Sequence, residues 1–218
     1  MSSPSVELTA RFWRSRRSAA IAGIVFALLL MAAISMMRVA FSEESLESLR
    51  ADEGKRTLIR LSLHLVPFSG IAFLWFIGVV RDQLGEVEDR LFSTVFLGSG
   101  LLFLAMLFDA AVTAHSLLGM LAASQTSPDL LESTRLTSQT LMTVYAMRMA
   151  AVFTISVSTV GLRTSAVPRW VAFLGYLVAL VLLVAAGRQQ WTQLLFPLWV
   201  LLLSVVILVW RPTESRAA

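Results

Sequence analysis

No cysteine occurs among the 218 residues. That excludes disulfides, thiolate metal centres, iron–sulfur clusters and covalently attached c-type haem. Charge is scarce too: Asp, Glu, Lys and Arg make up 15% of the chain, against about 25% in a typical soluble domain. Lysine is almost missing, since Lys55 is the single exception among otherwise arginine cations, and there are only two histidines. A chain this poor in charge and 57% hydrophobic is neither a water-soluble globule nor a disordered segment. It reads as an integral membrane protein. A net charge of +4 would suggest a nucleic-acid partner in a soluble chain. Here the arginines are scattered among hydrophobic runs without interleaved aromatic residues, so no nucleic acid is expected.

A membrane span needs about 20 mostly apolar residues, because the hydrocarbon core is roughly 30 Å thick and a helix rises 1.5 Å per residue. Six stretches qualify: 19–41, 58–80, 91–118, 137–162, 170–186 and 191–210. Within lipid each backbone amide must be paired inside its own segment, which makes each stretch a helix. None shows the alternation of a membrane barrel strand. The expected fold is all-α: a single-domain, polytopic bundle of six transmembrane helices over residues 1–218, without internal repeats. The first stretch follows a basic lead-in, as a signal peptide would, but its apolar core is too long and ends in Met36-Met37-Arg38 rather than a small-residue cleavage site. It is expected to remain as the first helix.

Orientation follows from Lys and Arg in the short connections. With the N-terminus inside, residues 1–18 contribute Arg11, Arg14, Arg16 and Arg17, joined by Arg81, Arg90, Arg163, Arg169, Arg211 and Arg216. The opposite side holds Arg50, Lys55, Arg56, Arg60, Arg135 and Arg188. The imbalance places both termini in the cytoplasm. Trp13, Trp170, Trp191 and Trp210 fall at span ends, where indoles favour the interface, whereas Trp75 and Trp199 inside spans read as packing residues. The stretch 6–17, with Phe12 and Trp13 among arginines, suits a short amphipathic segment on the inner surface. Two outer connections are long. Residues 42–57 begin with Glu43, Glu44 and Glu47 and suggest a helical turn ended by Gly54; Ser127-Pro128-Asp129 reads as a helix start that projects beyond the membrane.

The informative residues are polar ones at membrane depth, where a charge costs about 2.5–3.5 kcal/mol on insertion scales and needs protein or water around it. Asp109 on the third span and Arg148 on the fourth both fall on the order of 13–17 Å below the outer boundary. Consecutive antiparallel helices let them meet, either as a structural clamp or as the base of a binding site. Arg38, Arg60, His64, Pro67, His115 and Tyr145 add polarity to the outer half, while the inner half holds fewer charges. The pattern suggests an outward-facing polar pocket with an apolar floor, containing Asp109, Arg148, Tyr145, His64 and His115. The competing account for Arg38 and Arg60 is snorkelling to the interface.

His64 and His115 lie on different helices in the same leaflet, the minimum for bis-histidine ligation of b-type haem. Isolated hydrogen-bonding histidines meet the same description. No ligand spacing supports a metal site. Gly98-Ser99-Gly100 lacks the base a nucleophilic serine needs, and reads instead as close helix contact, as do Ala19, Gly23 and Ala27. A carboxylate dyad and a phosphate-binding glycine loop are both missing, so no catalytic set is expected. The hydroxyls Thr140, Thr143, Thr154, Ser156, Ser158 and Thr159 fit a fourth helix buried in the bundle.

The segment Gly70–Leu107, with Phe73-Leu74-Trp75-Phe76-Ile77-Gly78-Val79-Val80-Arg81-Asp82 and Gly98-Ser99-Gly100-Leu101-Leu102-Phe103, resembles a group of small actinobacterial multi-pass membrane proteins of uncharacterised function. The resemblance covers the second and third helices and the loop between them. It implies a bacterial inner membrane and carries no activity and no site residues. The loop 81–90 mixes Asp82, Glu86, Glu88 and Asp89 with its arginines, as a solvated linker or a partner-docking segment would. Three functions follow as expectations: small-molecule or ion binding and transport through the pocket; a structural or accessory subunit of a membrane complex or homo-oligomer; and a haem-carrying redox protein. Lipid is the one partner the composition requires.

Overall fold

A computed structural model of the chain describes residues 4–41, 46–84, 90–123, 126–164, 167–188 and 191–209. Every regular element among them is a helix: α1 (Pro4–Ala40), α2 (Leu46–Ala51), α3 (Glu53–Leu84), α4 (Arg90–Ala122), α5 (Pro128–Thr140), a π-helical turn (Leu141–Ala146), α6 (Met147–Arg163), α7 (Arg169–Ala185) and α8 (Thr192–Val209). Five helical rods are long and apolar enough to cross a membrane, the fourth being α5, the π turn and α6 in line; α7 is an apolar helix of 17 residues. Each of the six apolar stretches therefore lies on its own rod. The charges of the 82–90 loop, the side chains of Phe12, Trp13, Glu43, Glu44 and Glu47, and residues 210–218 lie outside what is described.

The rods close into a ring. α1 packs on α3 and α8, α3 on α4, α4 on α5, the π turn and α6, α6 on α7, and α7 on α8. One end of the bundle carries the α1–α3, α4–α5 and α7–α8 connections and is called here the mouth end; the other carries the α3–α4 and α6–α7 connections. Apolar side chains also cover the outside, among them Ile21, Leu28, Phe68, Ile71, Leu101, Val112, Phe173 and Val184, all exposed. A soluble monomer rarely shows such a continuous apolar surface. Hydrocarbon accommodates it.

Seven phenylalanines fill the centre of the ring, and the hydropathy pattern did not single them out. Phe73 is the hub, with ring centroids 4.5 Å from Phe26, 5.2 Å from Phe103, 5.1 Å from Phe153 and 5.9 Å from Phe196. Phe76 and Phe96 extend the cluster against Phe153. Around it, small residues let helices approach, as expected for membrane packing. A Cβ at Gly23 would strike Ser204 Oγ and the Phe76 ring, one at Gly100 would strike Ile77 and Phe153, and one at Gly175 would strike Ser158 and Trp199. Ala19 and Ala27 are fully buried. Gly98 faces open space, so only part of the Gly98-Ser99-Gly100 stretch serves contact.

Several local expectations change. Trp75 is 69% exposed on the outside of α3, and only Trp199, at 2%, is a packing residue. The residues from Pro4 onward continue α1 rather than forming a separate surface helix. Gly54 does not end a turn; it sits in the first turn of α3, where Asp52 Oδ1 accepts the Lys55 amide at 3.1 Å and caps the helix. α5 does begin at Pro128, yet the Ser127 hydroxyl makes no cap bond. Arg50, on the short α2, donates to the carbonyls of Leu121 (3.2 Å) and Ala123 (3.1 Å), closing off the end of α4. In α6, Thr154, Ser156 and Ser158 are buried as expected, and Thr159 shares a 2.8 Å bond with Tyr176 of α7.

Candidate functional site

Register decides which of the expected site residues meet. Ser138 Oγ donates to the Ala110 carbonyl at 2.8 Å, fixing α5 beside α4. Further along, the Phe153 ring packs 5.1 Å from Phe96 and lies against Gly100. Arg148 therefore falls level with about residues 100–105 of α4, roughly 6–14 Å along the axis from Asp109. Both side chains are exposed, and no ion pair joins them among the described residues. Counting from helix ends put the two at one depth because it took the fourth span to begin at Thr137. The rod actually starts at Pro128 and includes a π turn, which shifts everything after it. Tyr145 shares the exposed side of that rod with Arg148.

His64 and His115 lie on one groove, of about 390 Å³, between α3 and α4, with Arg60, Pro67, Phe108 and Val112. Both histidines are exposed. Among the described residues no group of three or more His, Cys, Asp or Glu is placed to hold a metal ion.

A second cavity, of about 370 Å³, opens inside the ring toward the mouth end. It is within the size range of small-molecule sites. On the side of α1, α3 and α4 the lining is largely apolar, with Leu30, Ala33, Ile34, Met37, Val66 and Leu107 beside Arg38 and Ser62. The α5–π rod and the start of α8 bring Arg135, Gln139, Thr143 and Gln193 to the lining, among Leu136, Met142 and Val144. Leu30 and Leu107 each lie four residues from Phe26 and Phe103, so the phenylalanine cluster closes the inner end. This cavity is lined by none of Asp109, Arg148, Tyr145, His64 and His115.

The π turn contributes Met142, Thr143 and Val144 to the lining. Such turns are rare and concentrate at functional sites, because the wider helix re-aims the side chains that precede it. Arg135 is held by Glu132, with Nε and one Nη donating to the two carboxylate oxygens at 2.9 and 2.7 Å. Arg38 reaches the same cavity while its guanidinium stacks 4.0 Å from the Trp191 ring. Gly187, at φ +81°, makes the tight α7–α8 turn beside them. Gln193 is only 9% exposed, and no hydrogen bond reaches its amide among the described residues. Its amide atoms are not fully enclosed; they open on the cavity that Gln193 lines, where water or a ligand can pair with them.

Sequence reasoning missed Arg135, Gln139 and Gln193. Arg135 was counted as a loop charge, and the glutamines are neutral, so a search for charges at depth passed over them. The signal was there in Gln193, a lone amide two residues into the last apolar run.

Neither a family model, nor a curated protein, nor a solved structure matches this chain. Its long apolar rods, lipid-suited exterior and internal cavity are those of a helical membrane protein, and the argument about function rests on the cavity alone.

Proposed function

We propose that the protein is a six-span protein of a bacterial cytoplasmic membrane that binds, and through binding transports, a small molecule or ion. The ligand enters the cavity from the mouth end, which faces outward with both termini in the cytoplasm. In this reading α7 is the sixth span and the bundle functions without a resident cofactor. The observation that carries it is the unpartnered Gln193 amide in a cavity also lined by Arg38 and Arg135. The chain lacks cysteine, so a single Thr143→Cys thiol reports on the cavity without background. In protein reconstituted in nanodiscs, a charged water-soluble methanethiosulfonate should modify that thiol, while a Ser158→Cys control in the buried α6–α7 contact stays unmodified. Failure of the Thr143→Cys thiol to react in folded protein ends the pocket reading.

One observation favours a second reading, an accessory subunit of a membrane complex. Asp109 is exposed on the stripe of α4 that also exposes Ala105, Val112, Ser116 and Gly119. An acid placed there needs a partner from outside the fold. Crosslinking from an Ala105→Cys thiol in native membranes distinguishes the readings: a specific heterologous product supports the subunit. The haem reading requires ligation by His64 and His115 across the α3–α4 groove, and a missing Soret band in protein purified with haem supplied ends it.

A further inference from the structure

We infer that the groove between α3 and α4 binds an anionic phospholipid, its phosphate against Arg60, His64 and His115 and an acyl chain along Pro67, Phe108 and Val112. The inference rests on the bundle lying in a bilayer and is independent of the mouth-end cavity.

Polar and apolar residues separate along the groove. The Phe108 ring lies over Gly70, where a Cβ would strike it, so these two positions are level and close the deep end. The helices are antiparallel, and His64 and His115 stand six and seven residues nearer the mouth end, about 9 and 10 Å away. Arg60 is one turn beyond His64 on the same face of α3. The depth suits a head group. Arg60 and His115 each stand seven residues from the mouth-end terminus of their rods, about 10 Å in. Rods of 32 and 33 residues overshoot a hydrocarbon core of roughly 30 Å by about 9–10 Å on each side when centred. The three side chains therefore gather at the hydrocarbon edge, and the apolar part of the groove runs below them.

The sign of the head follows from what the groove contains. No carboxylate lines it. Asp109 adjoins Phe108 in sequence but lies outside the lining, and Glu53 stands seven residues from Arg60. Arg60, His64 and His115 have no hydrogen-bond or ion-pair partner among the described residues. The guanidinium is always charged and matches phosphate in geometry, and an imidazole carries an N–H in either charge state. Basic pockets between membrane helices take anionic head groups in this way. A zwitterionic head would bring its own cation to Arg60, and a second copy docked through the same groove would bring another Arg60. Below the head, Pro67, Phe108 and Val112 are exposed on the outside of the ring. A lipid chain covers them at no cost in polar groups.

Native mass spectrometry of the full chain in detergent, titrated with dioleoyl phosphatidylglycerol or dioleoyl phosphatidylcholine, tests this. The anionic lipid should bind saturably as one adduct, at a half-saturating concentration about tenfold lower than the zwitterionic one. Arg60→Gln should raise that concentration about tenfold, and Val112→Trp, which fills the apolar part without changing charge, about fivefold. Arg148→Gln, an exposed cation outside the groove, should change it less than about twofold. Should Arg60→Gln misfold by circular dichroism, His115→Gln carries the comparison and should weaken binding in the same direction. Equal binding of the two lipids overturns the inference, as does an Arg148→Gln loss matching that of Arg60→Gln. Displacement of the lipid by millimolar inorganic phosphate overturns it in favour of a free-anion site. A dimer that Val112→Trp disrupts, without bound lipid, overturns it in favour of an interface between copies. Recovery of the chain in the soluble fraction defeats the membrane reading itself, whereas an unreactive Thr143→Cys thiol defeats only the cavity.

Discussion

At the residue scale, the sequence shows which side chains are unusual but not where around a helix they point. Asp109 and Arg148 were conspicuous because a charge in hydrocarbon is expensive. Their azimuth and relative depth come from packing, which the Ser138–Ala110 bond and the Phe153 contacts fix. The consequence is testable. A buried ion pair broken by removing one partner costs about 3–5 kcal/mol, whereas exposed substitutions away from special features stay within about 0.5 kcal/mol. Asp109→Leu should therefore leave thermal stability in detergent unchanged or slightly raised, and so should Arg148→Leu; a loss of several kcal/mol in either would restore the clamp between the third and fourth spans. Gly187 behaves oppositely. Its φ of +81° suits glycine, and a Cβ there would lie 2.8 Å from Val144 Cγ2. Gly187→Ala should cost about 1–3 kcal/mol, read as a lowered Tm.

At the scale of elements, the run lengths were legible and the interruptions were not. Each of the six apolar stretches lies on one helical rod, because backbone pairing in lipid leaves no other choice. Nothing in Leu141-Met142-Thr143-Val144-Tyr145-Ala146 announces a π turn: these are ordinary residues of an apolar helix. The turn exists because α5 must keep Ser138 on Ala110 while α6 keeps Phe153 in the phenylalanine cluster, and a plain α-helix cannot satisfy both. Deleting Val144 removes the extra residue that the π turn absorbs, so the rod should relax to α-helical pitch with Ser138 still on Ala110 and Phe153 still in its cluster. Helix content by circular dichroism should barely change, Arg135 and Gln139 should stay at the cavity, and a Gln139→Cys thiol should react with the charged methanethiosulfonate as readily as before. If that reactivity is lost in folded protein, the π turn itself shapes the site.

At the scale of the whole molecule, the proposed orientation comes from the charge imbalance and the opening of the cavity from the ring of helices, two independent sources that labelling can compare. The ring is held from within: Phe73 touches rings on α1, α4, α6 and α8, and Phe73→Ala should cost about 3–5 kcal/mol. The span count turns on α7, whose 17 residues reach only about 25 Å against a hydrocarbon core of roughly 30 Å. Its crossing then requires local thinning of the bilayer or the help of Trp170 and Trp191, exposed near its two ends. Three exposed positions in the cysteine-free chain decide the matter. Ser127→Cys and Arg188→Cys at the mouth end should be labelled by a membrane-impermeant maleimide in intact cells, and Thr164→Cys only after permeabilisation. If Arg188→Cys behaves like Thr164→Cys, α7 does not cross and five spans put the termini on opposite sides. If all three patterns invert, the arginine imbalance has misread the orientation. The cavity then opens to the cytoplasm, and whatever it binds has to come from inside the cell.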